Sequence, residues 1–174
     1  MRPVGRRRER TAGGFAALYE HEYRPLLRIA YGLTGSQGEA EELVQEAFVR
    51  CYQRWAKVEG YDNPGAWLRR VLLNLAASRG RRLAVEVRAL THLGARPAHH
   101  AAGPAEAGAG DEEFWAAVRR LPRRQAQAIV LYYGDDLPTD EVARVMCCAE
   151  GTVRALLHQA RTGLAKVLDP EEQS

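Results

Sequence analysis

The stretch "DEVARVMCCAEGTVRALLHQARTGL", Asp140 to Leu164, holds two adjacent cysteines, a histidine and three arginines. Three readings compete for it: a metal site, a redox pair, or two helices with a tight corner between them. Apolar positions settle the matter. Val153, Leu157, Ala160, Leu164 and Val167 recur at helical spacing and form one stripe. A helix over about 139–146, a corner of about four residues and a longer helix over about 150–167 make a helix-turn-helix outline. Cys147 and Cys148 fall in the corner, where a buried thiol acts as a small hydrophobe. Adjacent cysteines rarely ligate one ion together, and zinc needs four converging ligands. No metal site and no cofactor are expected.

The rest of the chain sets that outline in a larger plan. Its 174 residues are 46% apolar and 27% charged, a normal balance for a globular protein. Its three cysteines show no C-x-x-C spacing, and no apolar run is long enough to span a membrane. The start, "MRPVGRRRER", lacks the apolar core of a secretory signal, so a cytoplasmic location is expected and residues 1–13 read as a basic disordered tail. Residues 111–174 carry eight Lys/Arg against eleven Asp/Glu, a charge of −3; with +3 for the whole chain, residues 1–110 carry +6. A nucleic-acid footprint would be strongest in that first half.

Between Gly94 and Gly110, "GARPAHHAAGPAEAGAG" has thirteen Ala, Gly or Pro in seventeen residues and no large apolar side chain. Such a segment cannot offset its ordering entropy, and His99–His100 within it reads as a solvated pair. The expected fold is all-α: two small helical modules, 14–82 and 111–168, joined by a flexible linker over 83–110, with a short tail at 169–174. In the first module Pro25 should break or kink the opening helix. Ser36 and Glu39 form a capping box for a helix burying Ala40, Leu43, Val44, Ala47, Phe48, Cys51 and Trp55. A third helix opens at Asn63-Pro64, Asn as N-cap and Pro at the first helical position.

On that third helix Trp67, Arg70, Asn74, Ser78 and Arg81 project from one side, with Arg79 and Arg82 adding charge. A ring can stack on an unpaired base, an amide can bond its edge, and arginines neutralise phosphates, so the set suits single-stranded or melted DNA. Its bland alternative is a solvated basic helix end. A carboxylate-bridged di-iron protein built on Glu39, Glu42 and Glu46 fails, because no Glu precedes a His by three. No nucleophile–base pair or glycine-rich phosphate loop appears, and no enzymatic activity is expected.

Three segments, in order, resemble the extracytoplasmic-function (ECF) sigma factors of RNA polymerase. "GEAEELVQEAFVRCYQRW" (38–55) is similar to the family's acidic helix that docks on the polymerase clamp. "NPGAWLRRVLLNLAASRGRR" (63–82) looks like the segment that melts and reads the minus-ten promoter element. "LPRRQAQAIVLYYGDDLPTDEVARVMCCAEGTVRALLHQAR" (121–161) looks like the module that reads the minus-thirty-five element. The resemblance implies polymerase docking by Glu41, Glu42, Gln45 and Glu46. It implies minus-ten contacts by Asp62, Asn63, Trp67, Arg70, Asn74, Ser78, Arg79, Arg81 and Arg82, with the loop "EGYDN" holding a flipped base. Thr152, Arg154, Ala155, His158, Gln159 and Arg161 would serve the minus-thirty-five element. The implied partners are core RNA polymerase, promoter DNA and an anti-sigma factor; the alternative is a stand-alone helix-turn-helix regulator. This chain departs from the family at several points. Cys147 stands where Gly is usual, which would strain a positive φ, and Ala149 forfeits an N-cap.

Overall fold

A computed structural model describes residues 4–92 and 109–168. Eight α-helices follow one another among these residues: α1 (Val4–Thr34), α2 (Gln37–Gln53), α3 (Trp55–Val58), α4 (Pro64–His92), α5 (Ala109–Arg120), α6 (Arg123–Ile129), α7 (Thr139–Met146) and α8 (Glu150–Leu168). No strand occurs among them, so the all-α expectation holds.

The helix starts follow the chain's own signals. Ser36 is extended at φ −130° and accepts from the Glu39 amide, capping α2. Asn63 Oδ1 accepts from the Ala66 amide at 2.8 Å and caps α4. The stripe on α2 is fully interior, with Cys51 and Val44 at 0% exposure. Burial pushes the Cys51 thiol up to about 11. The chain breaks at Arg54, so Trp55 enters the core from the short α3 rather than from α2.

Three expectations shift. Val4 already begins α1, so helix runs through most of the segment read as a tail. Pro25 sits inside α1 without ending it, which costs one backbone hydrogen bond but leaves both flanking turns anchored by Leu26 and Ile29. Further on, α4 continues to His92, ten residues into the expected linker. The Ala/Gly/Pro segment itself, with His99–His100, lies almost entirely outside the described residues.

In the second half α6 does not run on as a plain helix. It passes into a π turn at Val130–Gly134, whose wider winding is followed by an amide-to-carbonyl bond from Leu137 to Leu131 at 3.2 Å. α7 then ends on Cys147 at φ 51°, ψ 53°, a left-handed residue with a β-carbon. The Cys148 amide donates back to the Ala143 carbonyl at 3.1 Å, closing the helix end. Both cysteines fall in the corner, as expected; Cys148 is half-buried against the core and Cys147 is exposed. The stripe of α8 ends at Leu164, since Val167 is 48% exposed.

One feature was not legible beforehand: the two halves pack on each other. A Cβ at Gly32 of α1 would lie 3.0 Å from Val130 and 3.2 Å from Trp115, so the glycine permits close approach. Tyr31 donates to Glu112 at 2.9 Å across the same seam, and desolvation with this bond to the carboxylate raises the phenol's pKa.

Candidate nucleic-acid and polymerase interfaces

The outer face of α2 carries the acidic set. Glu42, Gln45 and Glu46 are exposed and Glu41 is half-buried, because they sit opposite Leu43, Val44, Ala47 and Phe48. Glu41 accepts from Gln37 at 2.7 Å, and Glu46 pairs with Arg50 at 2.6 Å one turn along. Exposed i,i+4 pairs of this kind are weak, about 0.3–0.5 kcal/mol, so a basic partner could displace Arg50. Glu42 pairs with Arg79 of α4. One residue expected at DNA therefore ties α4 to the acidic helix instead.

α4 brings most of the remaining set into one line. Residues 67, 70, 74, 78 and 81 follow at three and four, spanning about 21 Å of helix at 1.5 Å per residue. Trp67 is half-buried with its ring 6.4 Å from that of Tyr61, in the loop before α4. Asp62 and Asn63 are exposed in that loop, although the Asn63 side chain is occupied as the cap. Asn74, Arg81 and Arg82 are exposed, and Ser78 accepts from Arg81 at 3.1 Å. Arg70 is the exception. Its Nη2 donates to the Arg144 carbonyl at 2.7 Å and its Nε to that of Val145 at 3.2 Å. These are carbonyls of the last turn of α7, the helix end that favours a cation, and that of Arg144 also takes a long bond from the Cys147 amide at 3.4 Å.

On α8, Thr152, Arg154, Ala155, His158, Gln159 and Arg161 are all exposed. Three of them have internal partners. Arg154 pairs with Glu150 at 2.6 Å, and Glu150 also accepts from Thr139 at 2.6 Å. Those two hydrogen bonds, Thr139's first, hold the Glu150 carboxyl below its usual range. Gln159 contacts Gln125 at 3.3 Å. Arg161 donates to the Tyr133 hydroxyl at 2.9 Å and lies 5.8 Å from the Tyr132 and Tyr133 ring centres. The face holds few uncommitted cations, in keeping with the acidic balance of this half.

Sequence reasoning overlooked Arg69. It is 8% exposed, one of four buried polar or charged residues among those described, and bonds Glu22 and Asp135. A signal existed: Arg69 falls between Leu68 and Leu72, in register with the buried stripe, where a charge needs buried counterions. No cluster of three or more metal-ligating side chains occurs among the described residues, and no described helix is long and apolar enough to cross a membrane.

Comparison with known proteins agrees with this layout. Residues 18–85 match the family model for Sigma-70 region 2, and residues 111–164 match that for Sigma-70, region 4. The chain is 31% identical over 145 residues to the ECF RNA polymerase sigma factor EcfG of Rhodopseudomonas palustris, covering 83% of this chain and 80% of that protein. It is 29% identical over 143 residues to the RNA polymerase sigma-E factor of Streptomyces coelicolor, covering 82% and 79%. Among solved structures it is similar to the sigma factor RpoE in complex with the anti-sigma factor NepR from Bartonella quintana. That match has a TM-score of 0.68 and 25% identity, over 97% of this chain and 99% of the other.

Proposed function

This chain belongs to the ECF sigma factors of RNA polymerase, and from that premise we propose how its residues divide the work of directing the polymerase to promoters. The family membership makes it an alternative sigma factor, and a stand-alone regulator is not favoured. Bond formation in RNA synthesis belongs to the core enzyme. In our reading Glu41, Glu42, Gln45 and Glu46 of α2 dock on a basic groove of the core. Trp67, Asn74 and Ser78 meet unstacked bases of the minus-ten element, where Asp62 and Asn63 flank the pocket for a flipped base. Arg70, Arg81 and Arg82 neutralise the phosphates alongside, joined by Arg79 when it leaves Glu42. Stacking of about 1–3 kcal/mol per base helps hold the strands apart.

α8 then reads the upstream duplex. Arg154, His158 and Arg161 take phosphates, which position without specifying, while Ala155, Gln159 and Thr152 face base edges. An anti-sigma factor, like the one bound to the Bartonella quintana relative, is the proposed regulator.

The observation that carries this reading is the pairing of two faces on adjacent helices. Glu42 on the exposed acidic side of α2 pairs with Arg79 of α4, next in sequence to Ser78 of the Trp/Asn/Arg line, and a stand-alone regulator would use neither face. Glu46→Lys tests it. The site is exposed, so helicity should be unchanged while affinity for core polymerase falls at least about tenfold, the effect of placing like charges in one contact. Undiminished core binding by a folded Glu46→Lys protein would remove α2 from the docking assignment.

A further inference from the structure

Gln159 stands exposed on the outer face of α8, and its side chain is held from a neighbouring helix. The holder is Gln125, in the first turn of α6 and outside every set of residues so far expected at DNA. Gln125 Nε2 donates to Gln159 Oε1 at 3.3 Å.

The fold keeps these two side chains opposite each other. α6 and α8 share one core through Ile129 and Val153, both fully buried. At Gly163, one turn beyond Gln159, a β-carbon would lie 3.1 Å from Leu121 Cδ2, so the chain entering α6 rides directly on α8. The Gln125 amide donates to the Pro122 carbonyl at 2.8 Å, which fixes the turn from which its side chain reaches across. Gln125 is half-buried, so the inner partner is anchored and the outer one meets solvent.

A glutamine amide has two ends, a carbonyl oxygen that accepts and an NH2 that donates. Free to turn, it reads adenine with both: the oxygen accepts from N6 and the nitrogen donates to N7. Here Gln125 engages the oxygen, which leaves the NH2 of Gln159 to face outward. Such a donor suits guanine, with acceptors at N7 and O6, and thymine, with an acceptor at O4. It does not suit cytosine, whose major-groove edge offers a donor. Adenine keeps one bond at N7 and loses the other.

We propose that Gln125 is a positioning residue for upstream promoter reading: by holding the Gln159 oxygen it turns the Gln159 NH2 toward the major groove and makes guanine or thymine the preferred base there. This rests on the assignment of Gln159 to base edges made above. Arg154 and Arg161, assigned to phosphates, add affinity to every sequence alike and leave the choice of base to the amide.

The test is base selection by holoenzyme, reconstituted from the full chain and core RNA polymerase and given a pool of random-sequence DNA duplexes. Start sites are mapped from the transcripts, and base frequencies upstream of them are compared between variants. Gln159→Ala locates the position, as the one where the wild-type preference for guanine or thymine disappears. Gln125→Lys can only donate, so it keeps hold of the Gln159 oxygen and retains the wild-type preference. Gln125→Glu can only accept, so it takes the Gln159 NH2, turns the oxygen outward and favours cytosine and adenine. Gln125→Ala releases both ends and raises adenine. In these last two variants the base ratio at that position should shift about fivefold, the worth of one hydrogen bond. Ratios within one variant cancel its overall affinity for DNA, so the charges introduced at position 125 do not enter. A wild-type preference for cytosine or adenine at the located position, or one and the same preference in Gln125→Lys and Gln125→Glu, would overturn the proposal with the reading of α8 intact. If Gln159→Ala alters no position, Gln159 does not read bases, and the assignment of α8 and this proposal fall together.

Discussion

Replacing Cys147 with glycine should leave the protein as stable or make it more so, although a side chain is being deleted. The thiol is exposed, so no buried area is lost. Its backbone stands at φ 51°, ψ 53°, where a β-carbon crowds the following carbonyl at a cost of about 1–2 kcal/mol. Glycine removes that cost but widens the unfolded ensemble, which returns about 0.4–1 kcal/mol. The difference is a gain of roughly 0–1.5 kcal/mol. For a chain of this size each kcal/mol moves the melting temperature by about 2–4 °C. Cys147→Ala is the control: it keeps the β-carbon and should melt with wild type. Urea midpoints of the three proteins, at unchanged slope, give the comparison. A glycine variant less stable than the alanine variant would show that the left-handed corner carries no strain, and the account of this turn would be wrong.

Two glycines should respond in opposite directions to alanine. At Gly35, φ +69° and a β-carbon 2.8 Å from the Arg119 guanidinium predict a loss of about 1–2 kcal/mol; at Gly80, inside α4 with open space around it, a gain of up to about 1 kcal/mol is expected, both read by urea melts. Cys51 gives a pH signature. Its folded thiol titrates near 11, above its ordinary value of 9.0, so between those values the unfolded chain loses a proton that the folded chain keeps. Stability should therefore fall as pH rises through that window, and this component should vanish in Cys51→Ala. Alkylation of the native protein at pH 8 should mark Cys147 and spare Cys51.

The elements that could be read from the chain are those whose signals are local. Ser36 and Asn63 cap their helices through their own side chains, and the apolar stripe of α2 keeps one period throughout. The corner at Cys147 was legible because a helix must end where its apolar register shifts. Misjudgements arose where a local rule met a distant partner. Pro25 stays helical because Leu26 and Ile29 are fully buried, and no window of sequence displays that burial. The end of α4 was placed too early, since its tail carries charge on a helix that needs few tertiary contacts to persist. Arg70 illustrates the harder case. Its type and spacing place it on the minus-ten line, yet the carbonyls it meets belong to residues 74 and 75 positions away. The same holds for Arg161, which counts as a free cation in sequence but rests on Tyr133 in the fold.

The π turn at Val130–Gly134 makes the agreement between the two halves a matter of chain length rather than of composition. Such a turn accommodates a surplus residue in an otherwise α-helical run. A single-codon deletion there would let the run close up as ordinary helix and swing everything after it by about 100°, the angle one residue subtends. α8 would then leave its place against α6, where Ile129 and Val153 share one core, and Asp135 would face away from Arg69. The length of this one turn thus fixes both the packing of the second half and its seat on the first, without altering any residue expected to touch DNA or polymerase, a constraint that alignment by residue identity would pass over.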